Sequence, residues 1–267
     1  MVVELKKILI VGGHEQAVLM LEHIFNNNLG KIVACVCRED DHGEDGIFPS
    51  LAKAANEYCV PVLYSDDLNS NKFFNRVAEY EADVVLSLQN NRLFNNQWVD
   101  YYSNKLGIIN IHYSPLPKYA GYWPELWAIW NEEKDFAVTA HYVSNGIDTG
   151  DIISQRWFLL DQLETRQSLY RKSTENCYLM LCDLLPDVLV KKVKSTPQNQ
   201  EERTFYKKYL PEDGVLDLNW GKDKIERFIR AIAFPGFPGP KINIGHSTYT
   251  LFEEDYAFFQ LVNTQRK

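Results

Sequence analysis

Short apolar segments alternate with amphipathic segments through the first half of the chain. The apolar segments have the length of buried strands, and the amphipathic windows repeat apolar positions at helical spacing. The predicted strands are Lys7–Val11, Lys31–Cys37, Val60–Tyr64, Ala82–Leu88 and Gly107–His112. The predicted helices between them are Glu15–Asn28, Ser50–Tyr58, Lys72–Tyr80 and Asn95–Tyr102. This alternation predicts an α/β fold with a mostly parallel sheet and helices on both faces.

The pattern changes in the second half. Proline suits a first helical turn, so Pro124–Trp130 is a predicted helix. Strands Phe136–Val143 and Ile152–Leu160 form a predicted hairpin, and a long helix over Thr165–Leu185 is ended or bent by Pro186. The later predicted elements are a polar linker Lys191–Thr204, a helix Lys222–Ala233 and a closing hairpin of Lys241–Gly245 with Ser247–Phe252. We therefore predict a main domain over residues 1–190 and a small C-terminal α+β region over 191–267.

Composition excludes several classes of protein. The 267 residues carry a net charge of −8, which argues against a general nucleic-acid binder but leaves room for a local basic pocket. The five cysteines form no CxxC pair, as expected for reduced thiols in a cytoplasmic protein. No stretch has the roughly 18 apolar residues of a membrane span. We expect a cytoplasmic protein that binds neither membranes nor nucleic acid.

Polar side chains interrupt one predicted strand near its carboxyl end. Asn110 and His112 alternate with two isoleucines, so both face the same side of the strand. Asp148 follows in a later loop. In parallel sheets, ligands bind beyond the carboxyl ends of the strands. An amide donor, a titratable base and a carboxylate suit acyl or formyl transfer, although a histidine on a strand can equally be structural.

The sequence also offers a candidate dinucleotide site and a candidate metal site. Gly12-Gly13-His14 follows the first strand but lacks the third glycine and the spacing of a dinucleotide fingerprint, which favours a tight turn whose glycines line a site. His112, His141 and Asp148 could form a metal set, but no HxxxH or HxH motif accompanies them. We predict no metal site.

Aromatic and basic residues suggest where a phosphorylated ligand could bind. Trp123 precedes its helix in a loop and can stack on a ligand, and Phe234-Pro235-Gly236 begins a rigid aromatic loop. Basic residues outnumber acidic ones over residues 191–241. Tyr206, Lys207 and Arg230 belong to this segment, and such cations can hold a diphosphate.

Two segments together resemble the signatures of folate-dependent formyltransferases. The first runs from Asn110 to Gly121 and reads NIHYSPLPKYAG. The second begins VTAHYV at Val138 and continues as GIDTGDII from Gly146. The resemblance is strongest over residues 80–160, and the sequence departs from it at Ala120, where many members have arginine. It implies a Rossmann-like catalytic domain.

The resemblance also implies roles for individual residues. Asn110 would be the oxyanion donor, His112 the base and Asp148 the acid that tunes His112. N10-formyltetrahydrofolate would be the co-substrate. Its binding residues would be Leu88, Gln89, Asn90, Leu93, Gly146 and Ile147. The acceptor would contact Gly13, His14, Trp123, Tyr206, Lys207, Arg230, Phe234 and Pro235.

Among the branches of the family, the chain is most similar to sugar N-formyltransferases. The implied acceptor is a nucleotide-linked, dTDP-type amino sugar destined for a surface glycan such as a lipopolysaccharide O-antigen. The alternatives are methionyl-tRNA or another amine acceptor, or a non-catalytic nucleotide-sugar or folate-binding protein. A methionyl-tRNA enzyme would be expected to carry a longer, basic C-terminal domain. The resemblance further implies a homodimer through the C-terminal region.

Overall fold

The computed structural model describes residues 5–64 and 67–251. Its strands are β1 (Lys7–Gly12), β2 (Lys31–Cys37), β3 (Val62–Leu63), β4 (Val84–Leu88), β5 (Ile108–His112), β6 (Ala120–Gly121), β7 (Asp135–Tyr142), β8 (Ile152–Leu159), β9 (Phe205–Tyr206), β10 (Val215–Leu216), β11 (Lys241–Ile244) and β12 (Ser247–Thr250). Its α-helices are α1 (His14–Asn26), α2 (Leu51–Glu57), α3 (Asn71–Ala78), α4 (Asn96–Ser103), α5 (Pro124–Trp130), α6 (Arg166–Leu189) and α7 (Lys222–Ile232).

The main sheet has seven strands in the order β3-β2-β1-β4-β5-β7-β8. The first five in this order pair in parallel, and β7 and β8 add antiparallel strands at one edge. Strands β1 and β4 are almost continuously apolar because helices cover both faces of the sheet. The predicted mostly parallel sheet and the predicted hairpin of β7 with β8 are confirmed.

Two hydrophobic cores lie on opposite faces of this sheet. One joins alternate residues of β1 and β4 to α1, α2 and α6. The other joins the remaining residues of the same strands to α3 and α4. Side chains alternate along a strand, so each helical layer receives every second residue. The predicted α/β architecture with helices on both faces is therefore confirmed.

Helix α6 does not end at Pro186. Of the two expectations, that Pro186 ends or bends the helix, the first is therefore wrong. The helix continues to Leu189, and Pro186 lies exposed within it. Val188 and Leu189 are buried in the same core as Leu185. Packing of this apolar face compensates for the backbone hydrogen bond that proline removes.

The segment Lys191–Thr204, predicted as a linker, packs against the main sheet instead. Thr196 pairs with Ile152 in an antiparallel bridge. Gln198 is buried at 8% exposure, and Thr204 accepts a hydrogen bond from the Tyr119 backbone N–H. The polar composition of this segment wrongly suggested a solvent-exposed linker, because its polar side chains form hydrogen bonds with the backbone of neighbouring loops.

A third core connects the C-terminal region to the main sheet. Phe228, Ala231 and Ile232 of α7 pack with the buried face of α5 and with Phe136 of β7. Strand β10, which precedes α7, pairs in parallel with β11, which follows it, and β11 forms the predicted hairpin with β12. Phe252, the predicted end of that hairpin, lies outside the described residues. The boundary at residues 190/191 stays a prediction.

Candidate active site

Three neighbouring strands place polar side chains in one row near the carboxyl end of β5. Asn110 of β5 is in register with Ser87 of β4 on one side and with His141 of β7 on the other. Residues in register on adjacent strands share a face of the sheet. Ser87 and His141 are almost fully buried.

Hydrogen bonds to these two neighbours fix the orientation of the Asn110 amide. The Ser87 hydroxyl donates to Asn110 Oδ1 over 2.8 Å, and Asn110 Nδ2 lies 3.0 Å from His141 Nε2. His141 Nδ1 lies 2.8 Å from the Tyr142 carbonyl oxygen and must carry the proton there. His141 Nε2 is then an acceptor, so it receives one N–H of Asn110. The second N–H remains for a ligand.

His112 has one engaged and one basic ring nitrogen. His112 Nε2 lies 2.8 Å from the Tyr119 carbonyl oxygen, which requires a proton on that nitrogen. In the neutral ring, His112 Nδ1 therefore carries the lone pair. This nitrogen lies 3.8 Å from Asp148 Oδ2, and the His112 side chain is only 11% exposed. The geometry leaves Nδ1 as the atom that can accept a proton.

Asp148 bridges the two histidines from the loop between β7 and β8. Asp148 Oδ1 lies 3.7 Å from His141 Nε2, and Oδ2 accepts a 2.9 Å hydrogen bond from the Gly121 N–H. Burial alone would raise the pKa of this carboxyl. Electrostatic interactions with His112 and Arg203 and the hydrogen bond from the Gly121 N–H outweigh that effect and lower its pKa. Asp148 is therefore ionised beside His112.

Burial keeps His141 neutral. Its side chain is 2% exposed, and desolvation lowers its pKa although Asp148 partly opposes the shift. A neutral ring is what the hydrogen bond from Asn110 requires. His141 thus acts on Asn110 as a fixed acceptor rather than as a second acid.

The segment that follows α6 holds the Asp148 loop in place. Gln198 Nε2 donates to the carbonyl oxygens of Asp148 and Gly150, over 2.9 and 2.6 Å. Arg203 donates to the Ile147 carbonyl oxygen over 2.6 Å. The predicted linker is therefore part of the support of the site.

An open pocket adjoins Asn110 and Asp148. Four of the residues predicted to bind the formyl donor line it: Asn90, Leu93, Gly146 and Ile147. Leu93 is 61% exposed, and the pocket wall also includes Arg92 and Phe94. A lining that mixes apolar side chains with polar ones suits a flat heteroaromatic ring with polar edges. The structure thus brings four of the six residues together in one pocket, and their role in binding the donor stays a prediction.

Leu88 and Gln89 do not line this pocket. The Leu88 side chain is fully buried, and its carbonyl oxygen accepts a hydrogen bond from the Gly13 N–H. A Cβ atom on Gly12 would lie 1.7 Å from that same oxygen, so this close approach requires glycine. The Gln89 carbonyl oxygen accepts from Arg38. The glycine pair therefore forms the tight turn that the sequence favours.

Aromatic rings form a second wall, between the β1–α1 turn and the start of α6. The His14 ring stacks on Phe48 with ring centroids 3.9 Å apart. Phe48 in turn neighbours Tyr170 and Phe234. Arg166 lies over the rings of Phe234 and Trp123, at 5.0 and 5.4 Å. Of the predicted acceptor residues, the structure gathers His14, Trp123 and Phe234 here, and Gly13 and Pro235 adjoin them in the chain.

The other three predicted acceptor residues do not add their side chains to this cluster of rings. The ring of Tyr206 stacks on Tyr119 and on Trp127, so both of its faces are covered. Lys207 is exposed on the surface, and Arg230 donates to the Glu164 carbonyl oxygen. An excess of basic residues in a segment does not reveal which cations are bonded to protein carbonyl oxygens and which face a cleft.

The contacts of the two site histidines disfavour the metal alternative. Both nitrogens of His141 and Nε2 of His112 already have hydrogen-bonding partners. Within residues 5–64 and 67–251, no group of three or more His, Cys, Asp or Glu side chains is arranged to hold a metal ion. In the same ranges, no helix is long and apolar enough to cross a membrane.

Comparison with known proteins identifies the family. The model of the family described as "Formyl transferase" matches residues 6–185. The chain belongs to the formyl transferase family. A curated relative of this formyltransferase, the bifunctional polymyxin resistance protein ArnA of Wigglesworthia glossinidia brevipalpis, is 29% identical over 234 residues. That match covers 87% of the chain but 35% of ArnA, so the chain spans about a third of its relative's length.

Solved structures of sugar N-formyltransferases share the fold of this formyltransferase. WlaRD, a sugar 3N-formyltransferase solved with dTDP and 5-N-formyl-THF, superposes with a TM-score of 0.71 at 25% identity, covering 91% of this chain and 84% of WlaRD. The N-formyltransferase of Helicobacter canadensis, solved with folinic acid and dTDP-3-aminofucose, gives a TM-score of 0.70 at 24% identity, covering 90% and 85%.

Several residues around the site of this formyltransferase escaped sequence analysis. Ser87 interrupts a buried apolar strand, which is a signal of a polar role. His141 lies in the second family signature and in the candidate metal set, but neither indicates that it orients Asn110. Arg166 and Glu125 begin helices and gave no signal in the sequence, because their burial depends on how α5 and α6 pack. Gln198 lies in a segment that resembles a solvated linker.

Proposed function

We propose that this formyltransferase transfers the formyl group of N10-formyltetrahydrofolate to the amine of a nucleotide-linked amino sugar. The single observation that carries the proposal is the convergence of Asn110, His112 and Asp148 beside the pocket that contains Asn90 and Leu93. An amide donor, a basic nitrogen and an ionised carboxylate there match the needs of formyl transfer to an amine.

The pocket fits the formyl donor by its chemistry. The neighbouring structures contain folinic acid or 5-N-formyl-THF. Here the Asn145–Gly146 backbone lines the pocket wall and forms no hydrogen bond within the described ranges. Backbone N–H and C=O groups of this kind can pair with the polar edge of a pterin ring. When bound, the donor supplies an activated formyl group.

Asn110 stabilises the negative charge that develops on the formyl oxygen. Its Oδ1 is held by Ser87 and one N–H by His141, so the other N–H is preoriented towards the pocket. Preoriented donors of this kind need no rearrangement as charge develops, and losing one typically lowers the rate by about 10²–10³-fold.

His112 accepts the proton of the attacking amine at Nδ1. Its Nε2–H stays bonded to the Tyr119 carbonyl oxygen throughout. Protonation creates an imidazolium whose Nδ1–H faces the ionised Asp148 across the present 3.8 Å separation. Asp148 stabilises that cation, and His112 can return the proton to the leaving nitrogen. The products are a formamide and tetrahydrofolate, with no net proton held by the protein.

The acceptor occupies the aromatic wall that contains His14, Trp123 and Phe234. The neighbouring structures were solved with dTDP or dTDP-3-aminofucose, which supports a dTDP-linked amino sugar. We further propose that the product enters a surface glycan such as a lipopolysaccharide O-antigen, and that the enzyme acts in the cytoplasm as a homodimer through its C-terminal region. Size-exclusion chromatography with light scattering tests the dimer.

The proposed function is tested with purified protein, N10-formyltetrahydrofolate and a panel of thymidine-, guanosine- and uridine-linked amino sugars. We expect release of tetrahydrofolate with at least one nucleotide-linked acceptor. A parallel reaction contains initiator methionyl-tRNA. Release of tetrahydrofolate with the tRNA alone, or with none of these acceptors, would overturn the proposal.

A further inference from the structure

Arg166 is a buried cation without a protein partner of opposite charge in contact. Its side chain is 8% exposed, and its guanidinium forms no hydrogen bond or ion pair within residues 5–64 and 67–251. Burial lowers its pKa, although the nearby Glu125 carboxylate opposes the shift. A guanidinium offers five N–H donors, and within the described residues no Arg166 nitrogen is both fully buried and unpaired, so these donors stay accessible to a ligand.

Aromatic rings hold the Arg166 guanidinium in place without satisfying its donors. The guanidinium carbon lies 5.4, 5.0 and 6.0 Å from the ring centroids of Trp123, Phe234 and Phe237. Such cation–π contacts orient the planar group and leave the N–H groups at its edge for a ligand. Planar N–H pairs match the geometry of phosphate oxygens.

Three other cations of the protein are held by its own polar groups. Arg230 donates to the Glu164 carbonyl oxygen, and Lys172 pairs with Asp161 and Glu164. Arg203 donates to the Ile147 carbonyl oxygen. Arg166 therefore differs from them in having its donors unused.

Glu125 connects this cation to the catalytic centre. It is 8% exposed, and burial raises the pKa of its carboxyl, while the nearby Arg166 and His112 oppose that shift. Trp123, whose ring lies beside Arg166, follows two residues after Gly121, the backbone donor to Asp148. A ligand that presents an amine to His112 can therefore extend along Glu125 and Trp123 and place a distant anionic group at Arg166.

We propose that Arg166 binds the diphosphate of the acceptor and so makes this formyltransferase selective for nucleotide-linked over free amino sugars. The inference rests on the proposed function for the nature of the acceptor. It replaces Tyr206, Lys207 and Arg230, which the sequence suggested for this task. The carboxylate tail of the folate donor is the other anion that Arg166 could bind. In that case, replacing Arg166 would raise the KM of the donor instead of the KM of the acceptor.

The test compares wild-type protein with Arg166→Gln and Arg166→Lys. Calorimetry with dTDP, UDP and GDP measures binding without turnover. We expect Arg166→Gln to weaken binding of the preferred nucleotide about ten- to hundredfold, and Arg166→Lys to have a smaller effect. In steady-state turnover, Arg166→Gln should raise the KM of the nucleotide-linked amino sugar by a similar factor and leave the KM of the formyl donor unchanged. A methyl glycoside of the amino sugar, which lacks phosphate, should show no dependence on Arg166.

Arg156→Gln is the matched control. Arg156 pairs with Asp183 at 41% side-chain exposure and should bind nucleotide as wild type does. Thermal unfolding checks that each variant folds. Unchanged nucleotide binding by Arg166→Gln, no nucleotide binding by wild type, or a selective rise in the donor's KM would each overturn the inference. If no acceptor is formylated but dTDP binding depends on Arg166, the proposed function fails and the diphosphate site stands.

Discussion

Asn110 Nδ2 lies 3.0 Å from His141 Nε2, so a buried histidine decides which end of the Asn110 amide faces the pocket. The arrangement depends on antiparallel pairing of β5 with β7, which sets these two residues opposite each other. His141 in turn is held by the Tyr142 carbonyl oxygen. The oxyanion donor of the proposed reaction is thus positioned by backbone structure through one intermediate side chain.

Replacing His141 should therefore impair turnover by releasing Asn110, although His141 also lines the pocket. His141→Phe removes the acceptor for Asn110 and frees the amide to rotate. We expect kcat to fall about ten- to hundredfold, equivalent to about 1.4–2.7 kcal/mol, with little change in either KM. His246→Phe, at an exposed turn between β11 and β12, is the control. Steady-state kinetics with unchanged kcat for a folded His141→Phe protein would contradict this role.

Asp148→Asn should separate charge from shape at the proposed proton-transfer site. The asparagine oxygen can still accept the Gly121 N–H, but the negative charge beside His112 is lost. We expect kcat to fall at least about a hundredfold, because the imidazolium loses its stabilising partner. Turnover near the wild-type value would remove Asp148 from the mechanism.

The same substitution should change how stability responds to acid. The pKa of Asp148 in the folded state lies below its ordinary value of 3.8. The ionised carboxylate therefore stabilises the fold above that value, and this contribution is lost as the pH falls through the folded-state pKa. Denaturant unfolding at pH 7 and pH 3 should show a smaller acid-induced loss for Asp148→Asn than for wild type. Equal losses in the two proteins would contradict the assigned shift.

His14 should give the fold a second, separate pH dependence. Burial lowers its pKa from 6.5 to about 4, so the unfolded chain binds a proton at a higher pH than the folded protein does. Stability should then decrease as the pH falls from about 6.5 to about 4, by up to about 3 kcal/mol. Asparagine tolerates the backbone φ of 59° at this position. His14→Asn should reduce the slope of the unfolding free energy against pH in that window. An unchanged slope would show that His14 is not the source of this pH dependence.

Gln198 tests the role of the segment that follows α6. Gln198→Leu keeps the size of the side chain but leaves the Asp148 and Gly150 carbonyl oxygens without their donor. We expect the free energy of unfolding to fall by about 1–3 kcal/mol and kcat to fall with it, since the Asp148 loop loses support. Gln200→Leu, two residues further and exposed, should change neither quantity. Equal unfolding free energies and equal kcat values for the two variants would contradict a supporting role for this segment.

The sequence predicted the parts of this protein that depend on local pattern. Strand periodicity predicted the parallel sheet, and alternation along β5 predicted that Asn110 and His112 share a face. The two family signatures predicted that Asp148 joins them. These are short-range features, so a single sequence contains enough information to predict them.

The remaining features depend on which distant segments meet. The partnership of His141 with Asn110 requires the register of β7 on β5, and the burial of Arg166 requires the packing of α6 against the loop at Phe234. The polar segment around Gln198 satisfies loop carbonyls far away in the chain. Composition indicates only that such residues are polar, and it cannot indicate what they contact.

The most direct test of the account follows the formyl group itself. Wild-type protein is incubated with N10-formyltetrahydrofolate and a dTDP-linked amino sugar, and the sugar is analysed by mass spectrometry beside a reaction with His112→Asn. The account predicts that wild type adds one formyl group to the sugar amine, and that the folded His112→Asn protein adds it at least about a hundredfold more slowly. Equal rates for the two proteins, or no formylated sugar with wild type across the nucleotide panel, would contradict it.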